Sequence, residues 1–254
     1  MMDDAALLAL AADLAAKAGA DILAIRDRGF QVHRKADHSV VTEADHAAEK
    51  IIVAGLRDML PDCTIVAEEE AAAGRIPAAT QEFWLIDPLD GTREFVAGGN
   101  DFVVNIGLVR AGRPVLGVVG VPATGETFGG IVGMGAWRQK DGMRSAISVR
   151  APPREGLTVV ASRHHGDQGR LDAFLGGRPV AAVVNFGSSL KFCRIAEGRA
   201  DLYPRFGRTM EWDTCAPQAV LEAAGGSVET LDGQPLGYGK PEWENPHFVC
   251  WGRR

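Results

Sequence analysis

Positive charge, cysteine and long apolar runs are all scarce in this chain, and each shortage removes a class of function. Lys and Arg total 27 against 33 Asp and Glu, a formal net charge of -6, so there is no electrostatic footprint for a nucleic acid polymer. A small anion can still be bound locally by an acidic protein. The four cysteines, Cys63, Cys193, Cys215 and Cys250, have no paired spacing and read as buried thiols rather than disulfides or zinc ligands. His164-His165 is the one adjacent histidine pair; without a cysteine or acid at ligand spacing it reads as a solvated loop. No apolar run is long enough for a transmembrane segment, and Met1-Met2-Asp3-Asp4 lacks the positive start of a secretory signal, so a cytoplasmic location is expected. Internal repeats and low-complexity tails are also missing. What remains is an ordinary globular composition, 46% hydrophobic and 24% charged over 254 residues, enough for one large domain or two modest ones.

Within it, Trp84-Leu85-Ile86-Asp87-Pro88-Leu89-Asp90-Gly91-Thr92 runs from apolar residues into two carboxylates, a glycine and a hydroxyl. Residues 83–86 have the aromatic and branched character of a buried strand, and Pro88, with no N–H, is expected to end its sheet pairing. The acids then stand at a strand's carboxyl end. So close together, they repel one another at neutral pH unless a positive charge lies between them. Magnesium takes oxygen ligands and leaves positions for water and phosphate, which suits Asp87, Asp90 and the Leu89 carbonyl. Gly91 and Thr92 would offer N–H groups to a phosphate from the start of a short helix. The same residues also compose an ordinary Asp-Pro-x-Asp-Gly turn, and both readings stand at this point.

Elsewhere, Leu7, Ala11, Leu14, Ala18, Ile22 and Ile25 recur at helical spacing, predicting a long amphipathic helix over residues 3–27. A short strand over 31–35 and a polar loop lead to Thr42, expected to cap a second helix. Asp45, three residues on, either compensates that helix's dipole or joins a site. Residues 63–67 read as a buried strand delivering Glu68-Glu69-Glu70, either a solvated face or, beside a neighbouring strand, part of the central cluster. Residues 71–81 are a surface loop or short helix. An antiparallel meander is expected over 102–132, followed by a hairpin at Asp141-Gly142. Ala151-Pro152-Pro153 then breaks the pattern, and strands begin to alternate with helices. The domain boundary is therefore placed there, an α+β unit over 1–150 and an α/β unit over 151–254. In the second, Gly187-Ser188-Ser189 precedes a helix over 190–196 whose free N–H groups suit a phosphate or ribose oxygen, unless a serine simply caps it. Trp212-Asp213 opens a further helix ending at Gly225-Gly226, with Asp213 as a candidate cap.

Taken together, these motifs resemble the lithium-sensitive, magnesium-dependent phosphomonoesterases of the inositol monophosphatase superfamily. Asp87-Pro88-Leu89-Asp90-Gly91-Thr92 is similar to its first signature and Trp212-Asp213 with Gly225-Gly226 to its second. Val41-Thr42-Glu43-Ala44-Asp45 and Glu68-Glu69 fall in the family's order, so the likeness covers essentially the whole chain. The resemblance implies a mixed α/β fold with layered αβαβα architecture and a site in the cleft between the halves. It implies that Glu68, Asp87, Asp90 and Asp213 hold magnesium, two or three Mg2+ ions in all, with the Leu89 carbonyl completing a site. Asp45, Thr92 and Glu68 would orient and deprotonate the attacking water, with no covalent phosphoenzyme. Gly91, Thr92, Gly187, Ser188, Ser189 and Asp213 would contact substrate.

Within the superfamily the likeness is greatest to the CysQ-type 3'(2'),5'-bisphosphate nucleotidases. It is carried by residues 187–193, Ala196-Glu197-Gly198, residues 202–207 and residues 101–106. The implied substrate is a small nucleotide, 3'-phosphoadenosine 5'-phosphate, a by-product of sulfate activation and sulfotransfer. Where the inositol-selective branch carries an acid before Trp-Asp, this chain offers only Glu211, directly beside the motif. A basic pair, Lys191 and Arg205, lies in this segment instead and suits a second phosphate, unless both are merely solvated. Competing readings are a phosphatase for inositol phosphate, histidinol phosphate or another small sugar phosphate, and an idle binding protein that keeps the fold. Clustered carboxylates speak against the idle protein. The oligomeric state stays open, a homodimer included.

Overall fold

The structure, a computed structural model, describes residues 2–35, 39–162 and 168–253. His164-His165 lies outside them. The first part of the chain forms α1 (Asp4–Arg28), β1 (Val32–Arg34), β2 (Val40–Thr42), α2 (Glu43–Met59), β3 (Ile65–Ala67), α3 (Glu68–Ala72), β4 (Glu82–Asp90) and α4 (Thr92–Val96). The meander follows as β5 (Val103–Arg110), β6 (Arg113–Val121), β7 (Glu126–Ile131), β8 (Gly135–Lys140) and β9 (Met143–Ile147). The remainder forms β10 (Leu157–Ser162), α5 (Gln168–Leu175), β11 (Val180–Phe186), α6 (Leu190–Ala196), β12 (Leu202–Arg205), α7 (Glu211–Ala223), β13 (Ser227–Thr230) and β14 (Phe248–Trp251).

Strands β3 to β9 pair in sequence order in a seven-stranded sheet, and a five-stranded sheet has the order β11-β10-β12-β14-β13. Side-chain alternation assigns the faces. Val104 and Ile106 of β5 and Val118 of β6 pack against Leu14 and Ile22 of α1 and Ile52 and Leu56 of α2. Their neighbours Val103 and Val119 face the other way. There they meet Phe192 of α6, Val220 of α7 and, from the smaller sheet, Val160, Tyr203 and Phe248. The far face of the smaller sheet buries Val159, Leu202 and Val249 with Leu171 and Leu175 of α5. The order is therefore α1/α2, large sheet, α6/α7, small sheet, α5, a mixed α/β fold of αβαβα layering. Burying such a branched side chain is worth about 1.5–3 kcal/mol, so strands apolar on both faces make a firm base for polar groups at their ends.

One expectation needs correction. Pro88 does not end β4: Asp87 pairs with Asn105, and the next paired residue is Asp90, opposite Val103. Pro88 and Leu89 fall in the irregular step between those pairs, where no ladder N–H is required and a proline is tolerated. Among the described residues no helix is long and apolar enough to cross a membrane.

Candidate active site

Residues 87 and 90 are an odd number of positions apart, so a regular strand would point them to opposite faces. Their partners Asn105 and Val103 are two apart on β5. The extra residue on β4 therefore brings both carboxylates to the face covered by α6 and α7. The chain then turns sharply at Gly91, whose φ is 94°. A Cβ there would come within 2.9 Å of the Asp101 carbonyl oxygen and 3.3 Å of Ser188 Cβ, so both the left-handed backbone and the space demand glycine. α4 starts at Thr92 immediately after.

β3 lies parallel to β4 with Ala67 opposite Ile86, which puts the next residues, Glu68 and Asp87, side by side, close enough that the Glu68 charge raises the Asp87 pKa. The three glutamates are the first turn of α3, where acids complement the helix dipole. Lys35, just after β1, bridges Glu68 at 2.8 Å and Glu69 at 2.7 Å. Burial alone would lower the Lys35 pKa, but these two carboxylates outweigh it and raise it.

Asp45 is held by the cap of α2. Its Oδ2 accepts from the Thr42 N–H at 2.7 Å and the Thr42 hydroxyl at 2.8 Å, completing a capping box. Its Oδ1 is 3.0 Å from the Thr92 hydroxyl, which is also 3.1 Å from the Leu89 carbonyl oxygen. The helix cap and the contact with Thr92 thus coexist in one side chain.

The second half closes the cluster. Asp213 is the third residue of α7 rather than its N-cap; its Oδ2 accepts from the Met210 N–H at 2.8 Å. The Ser189 N–H donates to Asp90 Oδ2 at 2.5 Å, its hydroxyl donates to Asn105 Oδ1 at 3.0 Å, and the Gly187 N–H donates to Asp101 Oδ2 at 3.0 Å. Lys191 is buried, so the solvated reading fails for it: its ammonium donates to the Ser188 carbonyl and, at 3.3 Å, to the Phe186 carbonyl. Arg205 Nη2 donates to the Arg208 carbonyl at 3.1 Å. Asp90, Gly91, Ser188, Lys191, Arg205 and Asp213 line one cleft. Glu211 does not. Fully buried, it accepts from the N–H groups of Gly239 and Lys240 at 2.7 and 2.9 Å and pairs with the Lys240 ammonium, so it anchors the loop after β13.

The inositol monophosphatase family model matches residues 3–248. The chain belongs to the inositol monophosphatase family. It is 42% identical over 240 residues to the 3'(2'),5'-bisphosphate nucleotidase CysQ of Escherichia coli K12, covering 92% of this chain and 95% of that protein. To the CysQ of Aggregatibacter actinomycetemcomitans it is 32% identical over 243 residues, covering 93% and 89%. Among solved structures, CysQ from Bacteroides thetaiotaomicron aligns with a TM-score of 0.81 at 34% identity over 98% of each chain. The Thermotoga maritima IMPase aligns with a TM-score of 0.80 at 27% identity, over 98% of this chain and 92% of that one.

Inositol monophosphatase family members are metal-dependent phosphatases, and the electrostatics here fit a cation. Burial, then the charges of Glu68, Asp90 and Asp213, push the Asp87 carboxyl well above its ordinary range. Burial, then Asp90 and Glu68, push Asp213 up to about 8. Asp90 is also raised by burial, against the pull of Lys191. These are hard oxygen donors that repel one another, the set that magnesium favours. As they stand, Glu68 is turned to Lys35, Asp90 to Ser189 and Asp213 to Met210. Among the described residues no three acidic, histidine or cysteine side chains are already grouped to hold an ion.

Sequence reasoning assigned no role to Lys35, Asn105 or Tyr203. Asn105 had a signal, an amide inside an apolar strand, and Tyr203 lines the cleft beside Arg205. A lone lysine at the end of a short polar strand carries no such mark.

Proposed function

We propose that this chain is a magnesium-dependent phosphomonoesterase acting in the cytoplasm, which hydrolyses the 3'-phosphate of 3'-phosphoadenosine 5'-phosphate to give AMP and phosphate. The observation that supports it most is a single cleft lined by Asp90 and Asp213 together with Arg205, in a chain whose relatives include bisphosphate nucleotidases. Glu68, Asp87, Asp90, Asp213 and the Leu89 carbonyl would hold two or three magnesium ions. Bound there, magnesium supplies charge neutralisation on the phosphoryl oxygens and a lower pKa for the attacking water.

The chain's own residues orient the reactants. Thr92 and Asp45 share a hydrogen bond of 3.0 Å, so the pair presents one directed acceptor to a water, with Glu68 on the other side as a further proton acceptor. Burial raises the Asp45 pKa despite its Thr42 and Thr92 hydrogen bonds, which makes it a stronger base near neutral pH. N–H groups of Gly91 and Thr92 receive the 3'-phosphoryl oxygens, and the Gly187-Ser188-Ser189 turn faces the ribose. Lys191 holds that turn through two carbonyls and adds positive potential behind it. Arg205 meets the 5'-phosphate at the rim. A remote phosphate gripped in this way aligns the reacting one.

Comparing phosphate release across substrates tests the reading. One charge-assisted contact of about 2 kcal/mol corresponds to roughly 30-fold in kcat/KM. The bisphosphate should exceed inositol 1-phosphate and histidinol phosphate by at least that factor. A preference for histidinol phosphate overturns the branch, and no magnesium-dependent release from any of them overturns the enzyme.

A further inference from the structure

Helix α3 is five residues long, carries Glu68 as its first residue and has Ala67 at its N-cap with no side-chain cap hydrogen bond. The opening N–H groups of a helix need partners, and in a buried setting these must come from protein. Here one comes from a different helix. Glu49 of α2 accepts the Glu69 N–H through Oε2 at 2.7 Å, and the neighbouring Glu70 N–H lies close enough to favour the Glu49 charge. Glu49 is only 6% exposed. A carboxylate buried beside Glu68, Glu69 and Glu70 is an unfavourable choice unless its acceptor function is needed, because burial and like charges both oppose it. Glu49 also lies one helical turn after Asp45, on the same face of α2. One helix thus carries both the side chain that meets Thr92 and the side chain that holds α3.

We propose that Glu49 is a positioning residue for the metal centre. By capping α3 from α2, it fixes the direction in which Glu68 leaves β3 and keeps it beside Asp87. This rests on the reading of Glu68 as a metal ligand, and the test separates the two. Magnesium binding to the full chain is measured calorimetrically without substrate, first for the unsubstituted protein and Glu68→Gln. If the first binds no magnesium, or the second binds it equally well, the metal reading itself fails.

With that established, Glu49→Asp keeps the charge but shortens the reach, and Glu49→Gln keeps the reach and one acceptor oxygen. Loss of a group that orients a ligand weakens metal affinity by about tenfold or more. The Kd for magnesium should therefore rise at least ~10-fold in Glu49→Asp and stay within about threefold in Glu49→Gln. At saturating magnesium, kcat of Glu49→Asp should recover most of its value. Magnesium affinity unchanged in Glu49→Asp, with only the melting temperature lowered, would make Glu49 a stabiliser of the fold and overturn the proposal. Equal weakening in Glu49→Gln overturns it too, since the charge rather than the cap would then matter.

Discussion

Gly117 of β6 lies so close beneath Ala216 of α7 that a Cβ on the glycine would come within 2.2 Å of the Ala216 carbonyl oxygen. Gly107 on β5 repeats the contact, its Cβ position 2.6 Å from Cys215 Sγ and 2.8 Å from the Ala216 nitrogen. The helix that begins beside Asp213 therefore rests on bare backbone. Gly117→Ala must lift α7, and overpacking of this kind destabilises by about 1–3 kcal/mol. Chemical denaturation should show that loss, and magnesium affinity should weaken with it as Asp213 moves. A protein as stable as the original would mean that the helix can slide at no penalty.

Asp87→Asn and Asp90→Asn should each lower turnover by at least ~10²-fold, the scale seen when a charge-stabilising group is removed from a transition state. Circular dichroism should stay native-like. The metal-free Asp87→Asn protein should be no less stable than the original, because the substitution removes a buried repulsion from Glu68, Asp90 and Asp213, whereas Asp90→Asn also forfeits the attraction of Lys191. Near-normal turnover in a folded Asp87→Asn protein would remove the metal centre from the reading.

Activity should disappear in chelator, return with magnesium and fall on addition of lithium, as the family resemblance implies. Calcium should restore little, since it prefers longer and less regular coordination than magnesium. Full phosphate release with calcium alone would contradict this chemistry.

Stability in chelator should fall as pH rises from about 4 to about 8. Asp213, at about 8 in the folded protein against 3.8 ordinarily, holds its proton more tightly when folded. Its contribution is fully present below about 4 and is lost as pH rises through the folded value. Burial pushes Glu69 up to about 7, with Glu68 adding to the effect, and it acts with the same sign. Glu126 acts oppositely, brought down to about 2 by Arg138, Thr124 and Arg194 despite its burial, but only below about 4.5. Burial lowers Lys191 to about 8, so its effect falls above the window. Melting temperatures against pH would show the slope, and saturating magnesium should flatten it. A rise in chelator between pH 5 and 8 would be the wrong sign.

Arg205→Ala should lower kcat/KM for 3'-phosphoadenosine 5'-phosphate by roughly 30-fold, a contact of about 2 kcal/mol. Adenosine 3'-monophosphate, with no 5'-phosphate to grip, should lose only slightly. Equal losses on both substrates would make Arg205 a structural residue.

Much of this was legible because local rules and tertiary placement agree. The 3.6-residue pattern of α1, the Thr42 cap and the Gly187-Ser188-Ser189 turn all occur where their residue types predict. Asp45 and Thr92, 47 positions apart, were paired only through the resemblance, since no local pattern spans that distance. Two placements were not legible, because tertiary burial decides them. For Lys191 the solvated alternative stayed open because nothing near it announces burial under the second sheet, and Glu211 carried no role because the loop at Gly239 that occupies it comes 28 residues later. Pro88 misled differently. A rule about regular pairing was applied at the one step of β4 where pairing is irregular.

That irregular step makes chain length itself a functional variable. Between Asp87 and Asp90 the reading frame of the sheet is offset by one residue. Deleting either Pro88 or Leu89 would let β4 pair in uninterrupted register with β5, a change that hydrophobic patterning would tolerate. The two acids would then stand two positions apart and still on one face, with Asp90 still opposite Val103 and Gly91 and Thr92 on their present side, but the bulged peptide whose Leu89 carbonyl oxygen accepts from the Thr92 hydroxyl would be lost. Insertions and deletions here are thus filtered in a way that substitutions are not: a shortened descendant could fold, pack its layers and keep every acid, yet lack the bulged main-chain carbonyl that meets Thr92, which no side-chain change can remove.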